Sequence, residues 1–305
     1  MNTKLGTKMK ADGTQRALGG RSVDLVWLAV PERRSAFSAQ EAGTVGDNAR
    51  TRFVDEYAGR PESPVVVVIA ALDEERSVGE VIRSLPKELS GLGVSCIVVD
   101  DGSSDDTSRV ARDAGALVCR LERNLGQGRA LQVGYSLAAS VGARVIVTLD
   151  ADGQFDTSEM ARLVGPVASG RVDFVNGSRR LGTSHTTDRV RQLGLCCYGA
   201  VVSILTGTKI TDPANGFRAF TPELTRRVPL HQPQYQTAEL LMGALALGFR
   251  VVETPVTVLP RAAGTTKKGS NLRYGLRFGR VVVGTWWSLR HLDACRSDLT
   301  THTDG

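Results

Sequence analysis

The run Val145-Ile-Val-Thr-Leu-Asp150-Ala-Asp152-Gly-Gln154 ends an apolar, β-branched segment in two carboxylates two residues apart and then an amide. A strand that stops this way delivers hard oxygen ligands to the carboxyl edge of a sheet, where open α/β folds hold their ligands. Asp150, Asp152 and Gln154 in that position suit Mg2+ or Mn2+, cations that in turn bind diphosphates. The same residues also fit a polar strand-to-helix turn, with Asp156 or Thr157 capping the helix that follows. Two other apolar runs end in acids: Asp73-Glu74-Glu75 and Asp100-Asp101. If the strands are parallel, all these carboxylates share one rim. Their repulsion is costly there unless a cation or a ligand's donors offset it, although each acid could separately cap a helix. Asp100-Asp101-Gly102-Ser-Ser-Asp105 adds a glycine turn with acceptors suited to a base N–H or a ribose hydroxyl. No acid lies between Glu253 and Asp293, a stretch holding Arg261, Lys267, Lys268, Arg273, Arg277, Arg280 and Arg290. Such one-signed charge suits phosphates on a nucleotide, a lipid head group or nucleic acid; a solvated helix face is the alternative.

The elements that must position these residues begin near Pro64. Strands are expected at 65–70, 94–99, 116–121, 144–149 and 172–175. Helices are expected at 74–85, up to 114, at 127–140 and at 157–168. Strands alternating with helices at this spacing give an α/β fold with a doubly wound, mostly parallel sheet and helices on both faces. Later come a small-residue apolar helix at 190–205, a short segment at 216–220, a helix at 237–247, a strand at 249–258 and a helix at 272–289. On that last helix Arg273, Arg277 and Arg280 fall on one side, and Leu272, Leu276, Val283 and Trp286 on another. Residues 1 to about 60, rich in Gly, Ser, Thr, Ala and Arg without periodicity, read as a disordered extension. The expected organisation is therefore an extension over 1–60, a catalytic domain over 62–260, and a basic loop, amphipathic helix and flexible tail over 261–305.

The chain has 305 residues and a formal net charge of +6. No apolar run reaches bilayer-spanning length, and Val23–Val30 is a poor signal-peptide core. The five cysteines show no Cys-x-x-Cys spacing, so a reduced cytoplasmic protein without structural zinc is expected, at most peripheral at the inner membrane face. Asn124-Leu-Gly-Gln-Gly128 lacks the third glycine of a dinucleotide fingerprint and follows the third strand, which argues against an NAD site.

Six motifs occur in order: Ala70-Ala-Leu-Asp-Glu74-Glu, Val98-Val-Asp-Asp-Gly-Ser-Ser-Asp105, Asn124-Leu-Gly-Gln-Gly-Arg-Ala130, Leu149-Asp-Ala-Asp-Gly-Gln154, Asn176-Gly-Ser-Arg179 and Asp212-x-x-x-Gly-Phe-Arg218. Together they resemble glycosyltransferase family 2, and within it the dolichol-phosphate mannose synthase-like branch. The resemblance runs from about Pro64 to Leu289 and implies the GT-A fold, a Rossmann-like nucleotide half joined to an acceptor half. It implies that Glu74 and Asp101 contact the nucleoside, and that Asp150 and Asp152 with Gln154 hold the metal and the donor diphosphate. Arg179 would reach a phosphate or the donor sugar; Ala70, Leu72, Ala151 and Arg218 complete the nucleotide-sugar set. Arg261-Ala-Ala-Gly-Thr-Thr-Lys267 matches the family's loop over the diphosphate. Where the family usually has Pro-x-Tyr-Asn-Glu, this chain has Ala70, Leu72 and Asp73 and keeps Glu74. The loss of the aromatic removes a stacking surface for the base.

The resulting expectation is metal-dependent transfer, with inversion, from a UDP- or GDP-linked sugar. The acceptor would be polyprenyl phosphate, or else a soluble natural product or nucleoside; no nucleic-acid partner is expected. A hydroxyl acceptor would need a general base, for which Asp212 and Glu239 are the candidates, whereas a phosphate needs none. A non-catalytic nucleotide-sugar or anionic-lipid binding protein is the alternative from another class. The intact Asp-x-Asp-x-Gln speaks against it. A nucleotidyltransferase would need a Gly-rich, Lys-bearing loop after the first strand, and none is there.

Overall fold

The computed structural model describes residues 39–60, 62–184, 189–232, 234–260 and 277–290. Residues 1–38, the loop with Arg261 and Lys267, Arg273 and the tail beyond 290 lie outside the described residues. The nucleotide half runs β1 (Val65–Ala71), α2 (Val78–Ser84), β2 (Glu88–Leu89), β3 (Leu92–Asp100), α3 (Thr107–Asp113), β4 (Leu117–Arg120), α4 (Gln127–Ser140) and β5 (Val145–Thr148). A 3-10 turn at Thr157–Glu159 then leads into α5 (Met160–Ala168). Next come β6 (Phe174–Ser184), α6 (Arg189–Thr206), β7 (Arg218–Phe220), α7 (Pro222–Arg227), α8 (Gln236–Ala246) and β8 (Val251–Val258). A last helix, α9, spans 277–290.

One eight-stranded sheet holds the fold, in the order β4-β3-β1-β5-β7-β6-β8, with β2 pairing antiparallel to the start of β3. Strands β4, β3, β1 and β5 run parallel; β7 is antiparallel to both β5 and β6, and β6 is parallel to β8. Val65 to Ile69 are inaccessible on both faces of β1, as a continuous apolar run in a helix-covered parallel sheet must be. One face packs α2, α3 and α5 through Val78, Ala111 and Met160; the other packs α4, α6, α7, α8 and α9 through Leu131, Val202, Leu224, Leu240 and Phe278. Cys96 in β3 and Cys119 in β4 are core residues, and burial pushes their thiols up to about 12 and about 11.

The structure corrects the expected N-terminal boundary. Helix α1 (Ala39–Glu56) lies within the segment read as disordered and packs Ala49 and Phe53 into the core on the α4 side. Tyr57 Oη accepts the N–H of Val118 at 3.1 Å, satisfying a backbone donor of β4. Val45, Ala49 and Phe53 recur every four residues, a helical stripe hidden among glycines and polar residues. Phe53→Ala is therefore expected to cost about 3–5 kcal/mol in denaturant unfolding, the range for a buried aromatic. A loss near zero would show that α1 is not part of the domain. Strand β6 also runs far beyond the expected 172–175, because its exposed distal half, Arg180 to Ser184, carries no apolar alternation.

Candidate active site

The ends of β1 and β3 are laced together by their turns. Ser104 N–H donates to Asp73 Oδ1 at 2.8 Å, Glu74 N–H to Thr107 Oγ1 at 2.9 Å, and Asp106 N–H to Glu75 Oε2 at 3.1 Å. Asp73 takes a left-handed φ of 51° to make this turn. Buried Asp100 accepts from Ser103 N–H and faces Arg120 at 3.5 Å. Asp101 accepts from Leu125 N–H at 2.7 Å and Gly126 N–H at 2.9 Å, fixing the turn that opens α4. Burial raises its carboxyl to about 6. Asp101 thus first organises the Asn124–Gln127 turn, from which Gln127 Nε2 reaches Asp150 at 3.2 Å.

Gly102 makes this assembly possible. Its φ is 78°, and a Cβ there would meet the carbonyl carbon of Arg123 at 2.6 Å. Gly102→Ala is expected to cost roughly 1–3 kcal/mol, from left-handed strain and displacement of that backbone. Unfolding curves superimposable on wild type would contradict this.

At the end of β5, Asp150 is half-buried and Asp152 buried, and Ala151 between them packs into the core. Thr148 Oγ1 donates to Gly216 O at 2.7 Å, so the loop before β7 lies against the carboxylates. A Cβ at Gly216 would sit 3.2 Å from Asp150 Oδ2. Among the described residues no group of three or more His, Cys, Asp or Glu converges on a metal position. Two carboxylates without a third anionic protein ligand match the habit of Mg2+, which takes one or two carboxylates and completes its shell with water and substrate phosphates. The donor set therefore fits the expected cation. Gln154 ties the motif to the end of β8: its side-chain Nε2 donates to Leu259 O at 3.2 Å and its backbone carbonyl accepts Leu259 N–H at 2.7 Å. Asp156 caps the 3-10 turn through Ser158 N–H.

A polar row crosses the sheet beneath this edge: Thr148, Arg218, Asn176 and Glu253 are in register on β5, β7, β6 and β8. Strands β5 and β6 are both antiparallel to β7, so Asp150 and Arg179 follow Thr148 and Asn176 off the same edge. Arg179 Nε donates to Asp212 Oδ2 at 2.6 Å. Arg218, expected in the nucleotide-sugar set, is instead 1% exposed and donates to the carbonyls of Pro213 and Thr237. Burial lowers its guanidinium to about 10. It holds the 212–218 loop against α8 and presents nothing to the crevice.

Neither candidate base is idle. Asp212 is fully buried beside Arg179. Glu239 is 3% exposed and its two oxygens accept from His231 N–H and Gln232 N–H. Burial raises its carboxyl, and the backbone bonds oppose that shift. Ala70, Leu72 and Glu74 are partly exposed at the end of β1.

The family profile described as Glycosyl transferase family 2 matches residues 66–231, more than half of the chain. The chain belongs to glycosyltransferase family 2. A polyprenol monophosphomannose synthase of Mycolicibacterium smegmatis is 28% identical over 283 residues, 88% of this chain and 98% of that protein. A dolichyl-phosphate hexose transferase of Haloferax volcanii is 28% identical over 220 residues, 72% of this chain and 92% of the relative. Among solved structures, glucosyl-3-phosphoglycerate synthase from Mycobacterium tuberculosis, in complex with Mn2+, uridine diphosphate and glucosyl-3-phosphoglycerate, superposes with a TM-score of 0.57 at 24% identity, over 86% of this chain and 87% of that one. The fold is GT-A, and the chain is a nucleotide-sugar-dependent glycosyltransferase.

Glu253 was not foreseen. It lies on β8 among residues that read as an ordinary edge strand, and only the pairing of β8 with β6 brings it beside Asn176.

Proposed function

We propose that this glycosyltransferase moves a sugar, with inversion, from a UDP- or GDP-linked donor to polyprenyl phosphate. The observation that carries the choice of acceptor is the engagement of both candidate bases: Asp212 is sealed against Arg179, and Glu239 is spent on two backbone N–H groups. A hydroxyl acceptor requires proton removal, whereas a phosphate arrives as an anion. The names of the two relatives agree with that acceptor. Asp150 and Asp152 would hold Mg2+ or Mn2+, which supplies positive charge against the departing diphosphate. Glu74 and the Asp101-fixed turn would seat the nucleoside. Arg179, with its Nε committed to Asp212, would turn its terminal nitrogens to a phosphate, and Arg261 and Lys267 would add charge over the diphosphate. Incubation with Mn2+, a short polyprenyl phosphate and a panel of UDP- and GDP-sugars should give a lipid-linked sugar phosphate. Transfer to a soluble hydroxyl acceptor, with none to the lipid, would favour the other reading.

The lipid side is also supported by exposed apolar residues. Trp286 packs against the core under Arg290, 4.9 Å from its ring, and Phe278, Val281, Val282 and Leu289 are buried, so α9 turns these residues to the core. Val283 and Trp287, 47% and 64% exposed, face outward. On α6, Leu193, Val201 and Ile204 form an exposed row, with Ile204 82% exposed. No helix among the described residues is long and apolar enough to cross a membrane. Contact with a bilayer surface through this row would be weak. Ile204→Glu should cut sedimentation with anionic vesicles several-fold, since it puts a charge where about 5–10 Å of apolar insertion occurs. Equal sedimentation of variant and wild type would remove α6 from the contact.

A further inference from the structure

We propose that Glu253 is a positioning residue that aligns Arg179 through Asp212. Its two carboxylate oxygens accept four donors. Oε1 takes Asn176 Nδ2 at 2.9 Å and Asp212 N–H at 3.1 Å; Oε2 takes Thr211 N–H at 2.6 Å and Thr211 Oγ1 at 2.7 Å. Asn176 Nδ2 also donates to Asp212 O at 2.8 Å, and Thr211 Oγ1 lies 2.6 Å from Ser178 Oγ. The backbone of Thr211 and Asp212 is thereby clamped between β6 and β8. Asp212 Oδ2, carried on that backbone, receives both Nε and the backbone N–H of Arg179.

The clamp needs a carboxylate. Each oxygen faces two donors, so a glutamine in either orientation sets its own N–H against donors that are already there. Leaving those buried donors unpaired shifts the Thr211–Asp212 backbone, and the Arg179 guanidinium moves with it. The assignment rests on the reading of Arg179 as a phosphate contact only for its consequence in catalysis; the alignment itself is a property of the free protein.

The test is therefore split. Phenylglyoxal labelling of the full chain, read by peptide mass spectrometry, reports the freedom of Arg179 without any donor. Arg250, ion-paired with Asp173 at 2.8 Å across the β6–β8 edge, is the internal control for general loosening. In E253Q the ratio of Arg179 to Arg250 labelling should rise about tenfold, as a local opening rather than a global one. An unchanged ratio in folded E253Q overturns the proposal. Thr211→Val removes one of the four donors at nearly constant shape, so it keeps the test open if E253Q does not fold. It should raise the ratio about twofold to threefold, and no rise there equally overturns the proposal. Affinity for UDP with Mn2+, and for GDP with Mn2+, is then compared in E253Q, Arg179→Ala and the double variant. Alignment through Arg179 predicts that the double variant binds no more weakly than Arg179→Ala, whereas additive losses overturn it. If Arg179→Ala leaves affinity untouched while the labelling ratio rises in E253Q, the phosphate role of Arg179 fails and the alignment stands.

Discussion

Asp152→Asn is expected to abolish metal-dependent nucleoside diphosphate binding while leaving the fold intact. Asp152 Oδ1 accepts Gln154 N–H at 3.1 Å, a bond the carbonyl oxygen of asparagine can keep, so the turn after β5 has no reason to open. What changes is charge. In the proposed site Asp150 and Asp152 would supply the anionic ligands, and the variant would halve that charge. Divalent cations such as Mg2+ dehydrate reluctantly and depend on carboxylate charge, so the loss should be at least about 100-fold in the affinity gained on adding Mn2+. Calorimetry with UDP and with GDP, each with and without Mn2+, measures it, and the thermal midpoint serves as the folding control. A folded variant with an unchanged Mn2+-dependent gain would remove Asp152 from the metal site.

The strand ends that carry chemistry were legible because two physical signals coincide there. Apolar β-branched runs mark strands buried on both faces, and acids at the carboxyl ends of parallel strands fall on one rim. Thus β1, β3, α4 and β5 lie close to where the residue pattern places them, and Asp101, Asp150 and Asp152 share one edge. What stayed hidden depends on partners distant in the chain. Arg218 reads as a donor contact beside Gly216, yet its partners are carbonyls of Pro213 and Thr237, and its burial follows from the position of β7 between β5 and β6. Gln154 reads as a ligand because it follows the two acids, and its tie to Leu259 O, through Nε2, comes from a partner 105 residues away that no local pattern foretells. Trp286 and Trp287 are adjacent and chemically identical; which one faces the core depends on the phase of α9 against Tyr198 and Tyr235, whose rings meet Phe278 at 4.9 and 6.3 Å. In each case the short-range motif is silent about the direction of the side chain.

Acidification is expected to act on this enzyme through Asp101, in opposite senses on stability and on ligand binding. Burial disfavours its charge and raises its carboxyl to about 6 in the fold, from the ordinary 3.8 of an exposed aspartate. Between those values the folded state holds a proton that the unfolded state has released. The contribution to stability is therefore fully present below about 3.8 and is lost as the pH rises through about 6, to the extent of about 3 kcal/mol at 1.36 kcal/mol per unit. Asp101→Asn cannot titrate, so the difference in unfolding free energy between variant and wild type should shift toward the variant by up to about 3 kcal/mol across that window. A difference that stays constant from pH 4 to 7 would show that Asp101 does not carry the shift. Binding runs the other way. The ionised carboxylate accepts from Leu125 and Gly126 N–H and so holds the turn that brings Gln127 to Asp150. Protonation weakens both charge-assisted bonds, each contributing about 1.5–3 kcal/mol. Nucleoside diphosphate affinity should fall as the pH drops below about 6 in wild type, and Asp101→Asn should show a weaker, flatter profile. A wild-type profile without that inflection would separate the Asn124–Gln127 turn from nucleotide binding.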